Sequence, residues 1–436
     1  MSVDIIVVLC FLLLIYLLLV GQYISSIFLS VGLLGIFMLG GMQQLNGFLQ
    51  SDSFAQVASF SLTTIPLYIL MAELIMGTKI VEDLYGLAFR ISKGRKGPLG
   101  VITIVIGGLL GSVSGSSSAT SASMAKITLP ELRKRGFSDT FSGAIVAVAG
   151  SLSSIIPPSV MIIIYGVAAR ISIGELFIGS LVPGILMIVV FSIILLLYLK
   201  FTGEGKVHEV DIPEDNTPTS RYVIAICMGA LMAISIFGGI FAGIFTPTEA
   251  GAVGAFLAFI MALIMKKVNF EYIKTALSET TKITVMTIFI VIGASLFGRF
   301  ISLSLIPRKI INLLEPLQST PYLIIIILLF FYFILFMFID NIAVLLMTVP
   351  IVMPITETLD VDPLWFGVMV LVSCTIGLIT PPVGTNVFIV GSTTGISIEG
   401  IFKITFVFSI ITTVVVVGLL IIFPELITWL PSIMSK

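Results

Sequence analysis

Two stretches of the chain, far apart in sequence, interrupt long apolar segments with the same polar layout. The first runs from Gly107 to Ser159, and four Ser, one Gly and one Thr fall between Ser114 and Thr120. The second runs from Phe331 to Asn386. A helix broken inside a bilayer must find new partners for its backbone groups, so breaks occur only where they line a cavity or are buried in protein. The layout therefore predicts two broken membrane hairpins that meet around a solute and its ions.

Composition restricts the class of protein. Of the 436 residues, 58% are hydrophobic and only 10% are charged, and the mean hydropathy is +1.21. Only a lipid bilayer accommodates that much apolar surface. The net charge of −1 gives no general attraction to nucleic acid. No His, Cys or paired-carboxylate constellation can be assembled in the membrane and no Walker A motif is present, so the sequence favours neither an enzyme nor an ATPase. We expect an all-α polytopic membrane protein.

The two stretches belong to an internal repeat. At an offset of 224, Pro157-Pro158 aligns with Pro381-Pro382, and Ser116-Ser117 aligns with Asp340-Asn341. With one residue added, the segments after the proline pairs share the run ISI and a later Phe. Two related halves with opposite flanking charges are typical of the inverted repeats of secondary transporters. We therefore expect inverted repeats, each with a re-entrant helical hairpin.

Flanking charges predict the orientation of these hairpins. Basic residues lie on both sides of the segment 98–125, namely Arg90, Lys93, Arg95 and Lys96 before it and Arg133, Lys134 and Arg135 after it. Because basic flanks stay in the cytoplasm, this segment should turn back as two half-length helices with a tip near Ser114–Ser118. After the second hairpin, Glu357, Asp360 and Asp362 indicate an external flank, although Arg308 and Lys309 before it disagree.

The repeat and the polar runs also predict a division of the chain. The predicted parts are N-terminal scaffold helices (1–97), a first repeat with its hairpin in a transport domain (98–200), a cytoplasmic linker (201–220), second-half scaffold helices (221–320), a second repeat with its hairpin in the transport domain (321–400) and a C-terminal helix (401–436).

The residue types at the predicted breaks suit a hard cation. Proline pairs remove backbone donors and free carbonyl oxygens, and Ser, Thr and Asn supply further oxygens. Helix N-termini at a break present positive dipole ends to an anionic solute. The alternative is that the small residues serve close packing of helices, as they often do in membranes.

Two ionisable residues lie in apolar surroundings. A charge at mid-bilayer costs roughly 2.5–3.5 kcal/mol on insertion scales, so we expect each of them to have a function. Asp340 lies at the predicted second tip, where it is able to hold a cation or take up a proton. Arg299, in VIGASLFGRFISLSLI, is suited to pair with a substrate carboxylate through two parallel donors. Pairing with Asp340 or snorkelling from a helix end are the alternatives for Arg299. The motif TPTEAG (246–251) is a further predicted break, best suited to cap or hinge a helix.

Four segments spread along the chain resemble the DctM-type large membrane subunit of tripartite ATP-independent periplasmic (TRAP) transporters. They are SGSSSATSASMAK (114–126), IIPPSVMIIIYG (155–166), FTPTEAGAVGA (245–255) and GLITPPVGTNVF (377–388). The resemblance implies a bacterial inner-membrane permease of the elevator type, similar to the ion transporter superfamily. It also implies sodium coupling, an organic acid substrate such as sialic acid or a C4-dicarboxylate, a small DctQ-type membrane subunit on a separate polypeptide, and a periplasmic DctP-type binding protein.

Carried over by motif, the resemblance assigns the site residues. Sodium ligands are expected among Ser114, Gly115, Ser116, Ser118, Pro157, Asp340, Asn341, Thr380, Pro381, Gly384 and Thr385. Substrate contacts are expected from Arg299, Ser116 and Ser117. Sodium-coupled uptake of an organic acid is the leading interpretation. A proton-coupled organic-anion transporter without a binding protein, with Asp340 as its proton carrier, is the alternative.

Overall fold

The computed structural model describes residues 2–78, 84, 86–87, 90–92, 95–202, 219–317 and 320–434. Lys93 and most of the predicted linker at 201–220 lie outside these residues. Within them the chain is helical, with no strand. Eight helices in the described part are long and apolar enough to cross a membrane. The prediction of an all-α polytopic membrane protein is confirmed.

The helices follow one another with few intervening residues. In the first half they are α1 (Val3–Leu19), α2 (Ile24–Val57), α3 (Thr64–Met76), α4 (Lys96–Ser114), α5 (Ser117–Lys134), α6 (Asp139–Ser151), α7 (Val160–Ala169) and α8 (Ile173–Thr202). In the second half they are α9 (Thr219–Ala233), α10 (Gly239–Phe241), α11 (Pro247–Ile264), α12 (Phe270–Leu303), α13 (Ile306–Leu314), α14 (Pro321–Phe338), α15 (Asn341–Thr358), α16 (Pro363–Gly377), α17 (Thr385–Thr394), α18 (Ile398–Thr412), α19 (Gly418–Ile422) and α20 (Glu425–Met434). Two π-helical turns, Ile234–Gly238 and Thr413–Val417, continue α9 and α18.

The first predicted hairpin is formed by α4 and α5. Gly115 ends α4 in the left-handed region, with φ of 62°, and a Cβ there would lie 3.0 Å from Val160 Cγ2. Any other residue would have both an unfavourable backbone conformation and a close Cβ contact here, so the position favours glycine. Ser116 then caps α5 by accepting the N–H of Ala119. At the other end of the hairpin, Lys96 Nζ donates to the carbonyl of Gly136 at 2.8 Å. The two ends of the segment therefore meet, and the predicted tip at Ser114–Ser118 is confirmed.

The arms of this hairpin differ from the prediction in length. They have 19 and 18 residues, because α5 continues to Lys134, well beyond the predicted end at residue 125. The extension is polar in composition, yet Leu129 and Leu132 are buried on one of its faces. Burial of that face keeps the segment helical through Pro130, which lies inside α5.

The second hairpin is formed by α14 and α15. Ile339 is extended, and Asp340 caps α15 by accepting the N–H groups of Ile342 at 3.0 Å and Ala343 at 3.3 Å. The acidic cap falls where Ser116 caps α5, as the repeat predicts. The same tip therefore carries a neutral cap in one half of the molecule and an acidic cap in the other.

The helix boundaries confirm the internal repeat. Helix α5 spans Ser117–Lys134 and α15 spans Asn341–Thr358, so both ends keep the offset found in the sequence. Beyond the proline pairs, α7 and α17 keep the same offset shifted by one position at both ends, and α8 and α18 keep it at their first residues, as the sequence alignment requires. Both pairs, Pro157-Pro158 and Pro381-Pro382, contain a cis peptide bond. Each pair lies in the break between an apolar helix and a short half-helix.

The two repeats exchange contacts. Helix α7, which follows the first proline pair, packs against α15 of the second hairpin, and α17, which follows the second pair, packs against α5 of the first hairpin. Elsewhere α2 packs along α12 and α3 along α11. Thr64 of α3 and Thr248 of α11 share a buried hydrogen bond of 2.7 Å. The hairpins and breaks thus form one group of contacts and the pairs α2–α12 and α3–α11 form another, and α12 also packs against α15 of the second hairpin.

The TPTEAG motif is a helix cap, as the sequence predicts. Thr246 Oγ1 accepts the N–H of Glu249, and a carboxylate oxygen of Glu249 accepts the backbone N–H of Thr246 at 2.8 Å. Pro247 occupies the first turn of α11. This arrangement is a complete capping box that fixes where α11 begins.

The re-entrant path of the first hairpin has a direct test. We expect Arg95→Cys and Lys134→Cys, in a background without native cysteines, to react with an impermeant maleimide from the cytoplasmic side only. Both positions are exposed and lie at the joined ends of the hairpin. Asp360→Cys, at the external flank of the second hairpin, is the control and should react from the opposite side. Labelling of Arg95→Cys and Lys134→Cys from opposite sides would show that the segment crosses the membrane.

Candidate functional site

The first tip and the first break form a junction rich in oxygen atoms. Ser114 Oγ lies 2.5 Å from Thr120 Oγ1, and Ser153 Oγ donates to Thr120 Oγ1 at 2.9 Å. The carbonyl of Gly115 accepts the N–H of Val160, the first residue of α7, at 3.2 Å. The tip of the hairpin is therefore joined to the break at Pro157-Pro158 by a backbone bond, and three hydroxyl groups lie beside that joint.

A second junction has the same construction in the other repeat. The N–H of Gly384, next to the second proline pair, donates to the carbonyl of Met337 near the tip of the second hairpin at 3.1 Å. Gly384 has φ of 45° and a Cβ there would lie 2.9 Å from the carbonyl oxygen of Thr380. Thr380 Oγ1 lies 2.6 Å from the carbonyl oxygen of Ile376 and 2.9 Å from Ser409 Oγ. Each proline break is thus held against the tip of its own hairpin.

Several buried oxygen atoms near these junctions have no hydrogen-bond partner among the described residues. They are the side-chain oxygens of Ser117, Ser121 and Ser154, and Oδ1 of Asn386. Leaving such a group unsatisfied costs about 1–3 kcal/mol, so buried polar atoms are normally paired. Neutral hydroxyl and amide oxygens are also the ligands that hard cations prefer. The junctions therefore offer unused ligands of the kind that a sodium ion needs.

One side chain connects the two junctions. The buried thiol of Cys374, on α16, lies beside Ser154 of the first break and Asn341 of the second tip, without a hydrogen bond of good geometry to Ser154. Asn386 Nδ2 reaches the carbonyl of Ala147 on α6 at 3.5 Å, which brings the second break to the first repeat as well. The two sets of oxygen atoms belong to one central region.

Four helix N-termini lie in this region. Ser116 caps α5 and Ser159 caps α7, whereas Asp340 caps α15 and α17 begins after Gly384. A helix N-terminus carries about half a unit of positive charge and unsatisfied N–H groups. Their convergence supplies a positive potential, which favours an anionic solute near the tips.

Most of the residues predicted to form the site are therefore close together, but not all. Ser114, Gly115, Ser116, Ser117 and Pro157 lie at the first junction, and Asp340, Asn341, Thr380, Pro381 and Gly384 lie at the second. Ser118 and Thr385 lie in the first turns of α5 and α17, half-buried.

Arg299 lies where α12 meets α2 and the second hairpin. It is on α12, its side chain is exposed, and its guanidinium lies 5.0 Å from the ring centroid of Phe48 on α2. The neighbouring Gly298 faces Pro350 of α15, where a Cβ would lie 3.1 Å from the proline ring. Arg299 therefore stands at the boundary between the long helices and the second hairpin.

Sequence reasoning did not select Thr120, Ser153, Ser154 or Cys374 as site residues. Thr120 and Ser153 complete the hydroxyl group of the first junction, and Ser154 contributes an unpartnered oxygen. The pair Ser153-Ser154 precedes Pro157 by only a few residues, and this proximity is the signal that identifies it. Cys374 carries no comparable signal, because an isolated cysteine in an apolar helix usually serves packing.

Comparison with known proteins agrees with this architecture. Relatives include the C4-dicarboxylate TRAP transporter large permease protein DctM of Pseudomonas aeruginosa, 28% identical over 86% of this chain and 85% of the relative. Another is the sialic acid TRAP transporter large permease protein SiaM of Vibrio cholerae, 26% identical over 86% of this chain and 87% of the relative. The crystal structure of the Alcanivorax borkumensis YdaH transporter shares the fold, with a TM-score of 0.73 over 94% of this chain and 100% of that chain at 12% identity.

The family described as "Tripartite ATP-independent periplasmic transporter, DctM component" matches residues 11–426. The resemblance inferred from the four sequence segments is thereby confirmed. Because the match covers nearly the whole chain, this protein belongs to the DctM family of TRAP transporter large permeases, which are multi-pass inner-membrane transport proteins and not enzymes.

Proposed function

We propose that this permease couples the entry of sodium ions to the uptake of an organic acid. The observation that carries the proposal is the pair of junctions between hairpin tips and proline breaks, with unpartnered buried oxygens beside them. Sodium takes oxygen ligands, and the junctions provide hydroxyl, amide and carbonyl oxygens in a region closed to bulk hydrocarbon.

Sodium fits the junctions better than a proton does. The first junction consists of Ser114, Thr120 and Ser153, whose hydroxyl groups do not titrate in the physiological range. At the second junction Asp340 accepts two backbone N–H groups as a helix cap. Both bonds go to Oδ1, so Oδ2 stays available to a cation or a proton, and it is the first junction, which has no titrating group, that favours a cation. A metal cation can use both junctions in the same way.

The substrate is proposed to be a carboxylate held near the hairpin tips. The N-terminus of α5, with Ser116 and Ser117, supplies N–H and O–H donors and a positive dipole end. Sialic acid and C4-dicarboxylates share the carboxylate that such a site recognises. The relatives that carry these two substrates in their names are 26% and 28% identical to this chain, so similarity does not separate them.

Transport is proposed to follow an elevator mechanism. The hairpins, the proline breaks and their half-helices pack with one another, and the paired helices α2 with α12 and α3 with α11 would form the scaffold. The transport domain would then slide against this scaffold while it carries the solute and ions. As a TRAP permease the chain would work with a small DctQ-type membrane subunit and receive its substrate from a periplasmic DctP-type binding protein.

The contribution of Ser154 to sodium binding is testable against a matched control. We expect Ser154→Ala to raise the sodium concentration for half-maximal uptake about tenfold, since loss of one oxygen ligand corresponds to about 1.4 kcal/mol. Ser151→Ala is the control, because Ser151 is equally buried in the same segment but donates to the carbonyl of Val148. Uptake is measured in proteoliposomes that hold both membrane subunits, with the binding protein and labelled acid outside.

Sodium binding can also be followed without substrate, through the rise in thermal unfolding temperature when sodium chloride replaces choline chloride. The wild-type complex and Ser151→Ala should show the rise, and Ser154→Ala should need more sodium for it. Uptake that continues unchanged in choline would remove the case for sodium coupling. Equal sodium curves for Ser154→Ala and Ser151→Ala would remove Ser154 from the site.

Arg299 is proposed to contact the substrate carboxylate when the transport domain moves along the scaffold. We expect Arg299→Ala to raise the KM for uptake about tenfold or more, because a charge-assisted hydrogen bond contributes about 1.5–3 kcal/mol. Phe48→Ala removes the ring on which the guanidinium stacks and leaves the charge in place. If both substitutions reduce uptake equally and lower the unfolding temperature, the role of Arg299 is structural.

A further inference from the structure

A crevice lies beside the first arm of the second hairpin. Its volume is about 130 Å³, and its walls are formed by α14, α16 and the π-helical turn Thr413–Val417. The apolar side chains that line it include Leu329, Phe333, Ile376 and Val417. At its edge Ile326 and Phe330 are 46% and 61% exposed. Since α14 and the helical segment Ile398–Ile422 are both membrane-spanning candidates, we expect the crevice to open onto the hydrocarbon of the bilayer.

The crevice offers nothing to a polar ligand. Ser373 and Thr413 are the hydroxyl residues in its lining, and both are already engaged. Ser373 Oγ donates to the carbonyl of Met369 at 2.9 Å, and Thr413 Oγ1 donates to the carbonyl of Ser409 at 2.8 Å. An apolar cavity of this kind excludes water, because a buried water molecule needs two or more polar partners.

The dimensions restrict the apolar occupant. A helix with its side chains is about 10–12 Å across and is too wide for a crevice of about 130 Å³, whereas a short length of an unbranched hydrocarbon chain is able to enter it. The surrounding solvent of these helices is a layer of such chains. We propose that this crevice is a binding site for one acyl chain of a membrane phospholipid, and that the bound chain keeps the second proline break in position.

The support follows from the contacts of the crevice wall. The carbonyl of Ile376, in the wall, accepts the hydroxyl of Thr380, the residue before the second proline pair. Thr380 Oγ1 also lies 2.9 Å from Ser409 Oγ, and the carbonyl of Ser409 accepts the hydroxyl of Thr413 in the opposite wall. Both walls are thus hydrogen-bonded to the residues that position Thr380. An occupant that holds the walls apart at a fixed distance also fixes Thr380.

A π-helical turn forms part of the crevice wall. The turn Thr413–Val417 interrupts the last long helix, whereas the equivalent α8 of the first repeat is continuous from Ile173 to Thr202. A π turn inserts an extra residue and displaces the side chains that follow it, and such turns are common at functional sites. Gly418 follows the turn, and a Cβ there would meet no atom within 4 Å, so the protein leaves space at this point.

The binding site is tested by photolabelling in vesicles of phosphatidylcholine with a diazirine in one acyl chain. Ser373 and Ile376 are only 4% and 1% exposed, so label on this part of α16 reports a chain inside the crevice. We expect label there in the wild type, and at least a fivefold loss in Val417→Phe, which fills the crevice. Val414→Phe is the matched control, because Val414 is on the same turn but 70% exposed, and its label should match the wild type.

Three results would overturn the lipid site: no label on residues 373–376, equal label in Val417→Phe and Val414→Phe, or loss of the label when the small membrane subunit is present. If Val417→Phe fails to assemble, Val417→Leu fills part of the crevice and should show a smaller loss of label. Thermal unfolding in each case distinguishes a filled crevice from a misfolded protein.

The link to the second break rests on the proposed sodium coupling and has a separate readout. We expect Val417→Phe to raise the sodium concentration for half-maximal stabilisation at least threefold, with Val414→Phe unchanged. Loss of label without any change in the sodium curve would overturn the supporting role. A wild-type protein that shows no sodium response would instead contradict the proposed coupling, and the labelling result would still decide the lipid site.

Discussion

Unpaired backbone groups cannot be left in hydrocarbon, and this constraint governs the whole molecule. Each proline pair interrupts a helix, and in each half a hydrogen bond joins the resumed chain to the tip of the adjacent hairpin. In the first half Val160 donates to Gly115, and in the second half Gly384 donates to Met337. A hairpin tip and a proline break are therefore required together, because each supplies backbone groups that the other has freed. The position of the oxygen-rich region follows from that pairing.

The half-helix of each repeat packs against the hairpin of the other repeat, and this packing brings the two junctions into one region. Helix α7 packs on the second hairpin and α17 on the first, so neither repeat can form its junction surroundings alone. Cys374, between Ser154 and Asn341, lies where the two repeats meet. The long helices α2 and α12 pack with each other, and α12 also contacts α15 of the second hairpin. The molecule thus separates a polar, interrupted interior from a continuous apolar exterior, as a chain with 58% hydrophobic residues in a bilayer must.

The features that the sequence predicted correctly share one physical property, namely that they break a regular pattern. Serine-rich tips and proline pairs are incompatible with an uninterrupted membrane helix. The hairpins, the breaks and the register of the repeat could therefore be predicted from the sequence. The helix cap at Thr246 had a local signature for the same reason. Ser154 was not selected, because neighbouring serines in an apolar segment usually bond their own backbone, as Ser151 and Ser153 do, and only the packed structure shows that Ser154 does not. The surroundings of Arg299 were not predictable either, since stacking on Phe48 depends on the packing of two helices far apart in sequence.

The difference between the two hairpin caps has a consequence for a duplicated protein. Two copies of one sequence, related by inversion, would present identical electrostatic environments on both sides of the membrane. Here a neutral hydroxyl, Ser116, and a carboxylate, Asp340, occupy the same place in the two copies. The two tips therefore offer different groups to the central region, because a carboxyl is able to ionise and has two oxygens, whereas a hydroxyl has one and stays neutral. Duplication accounts for the shape of this permease, and the exchanged side chains at the two tips make its halves chemically unequal.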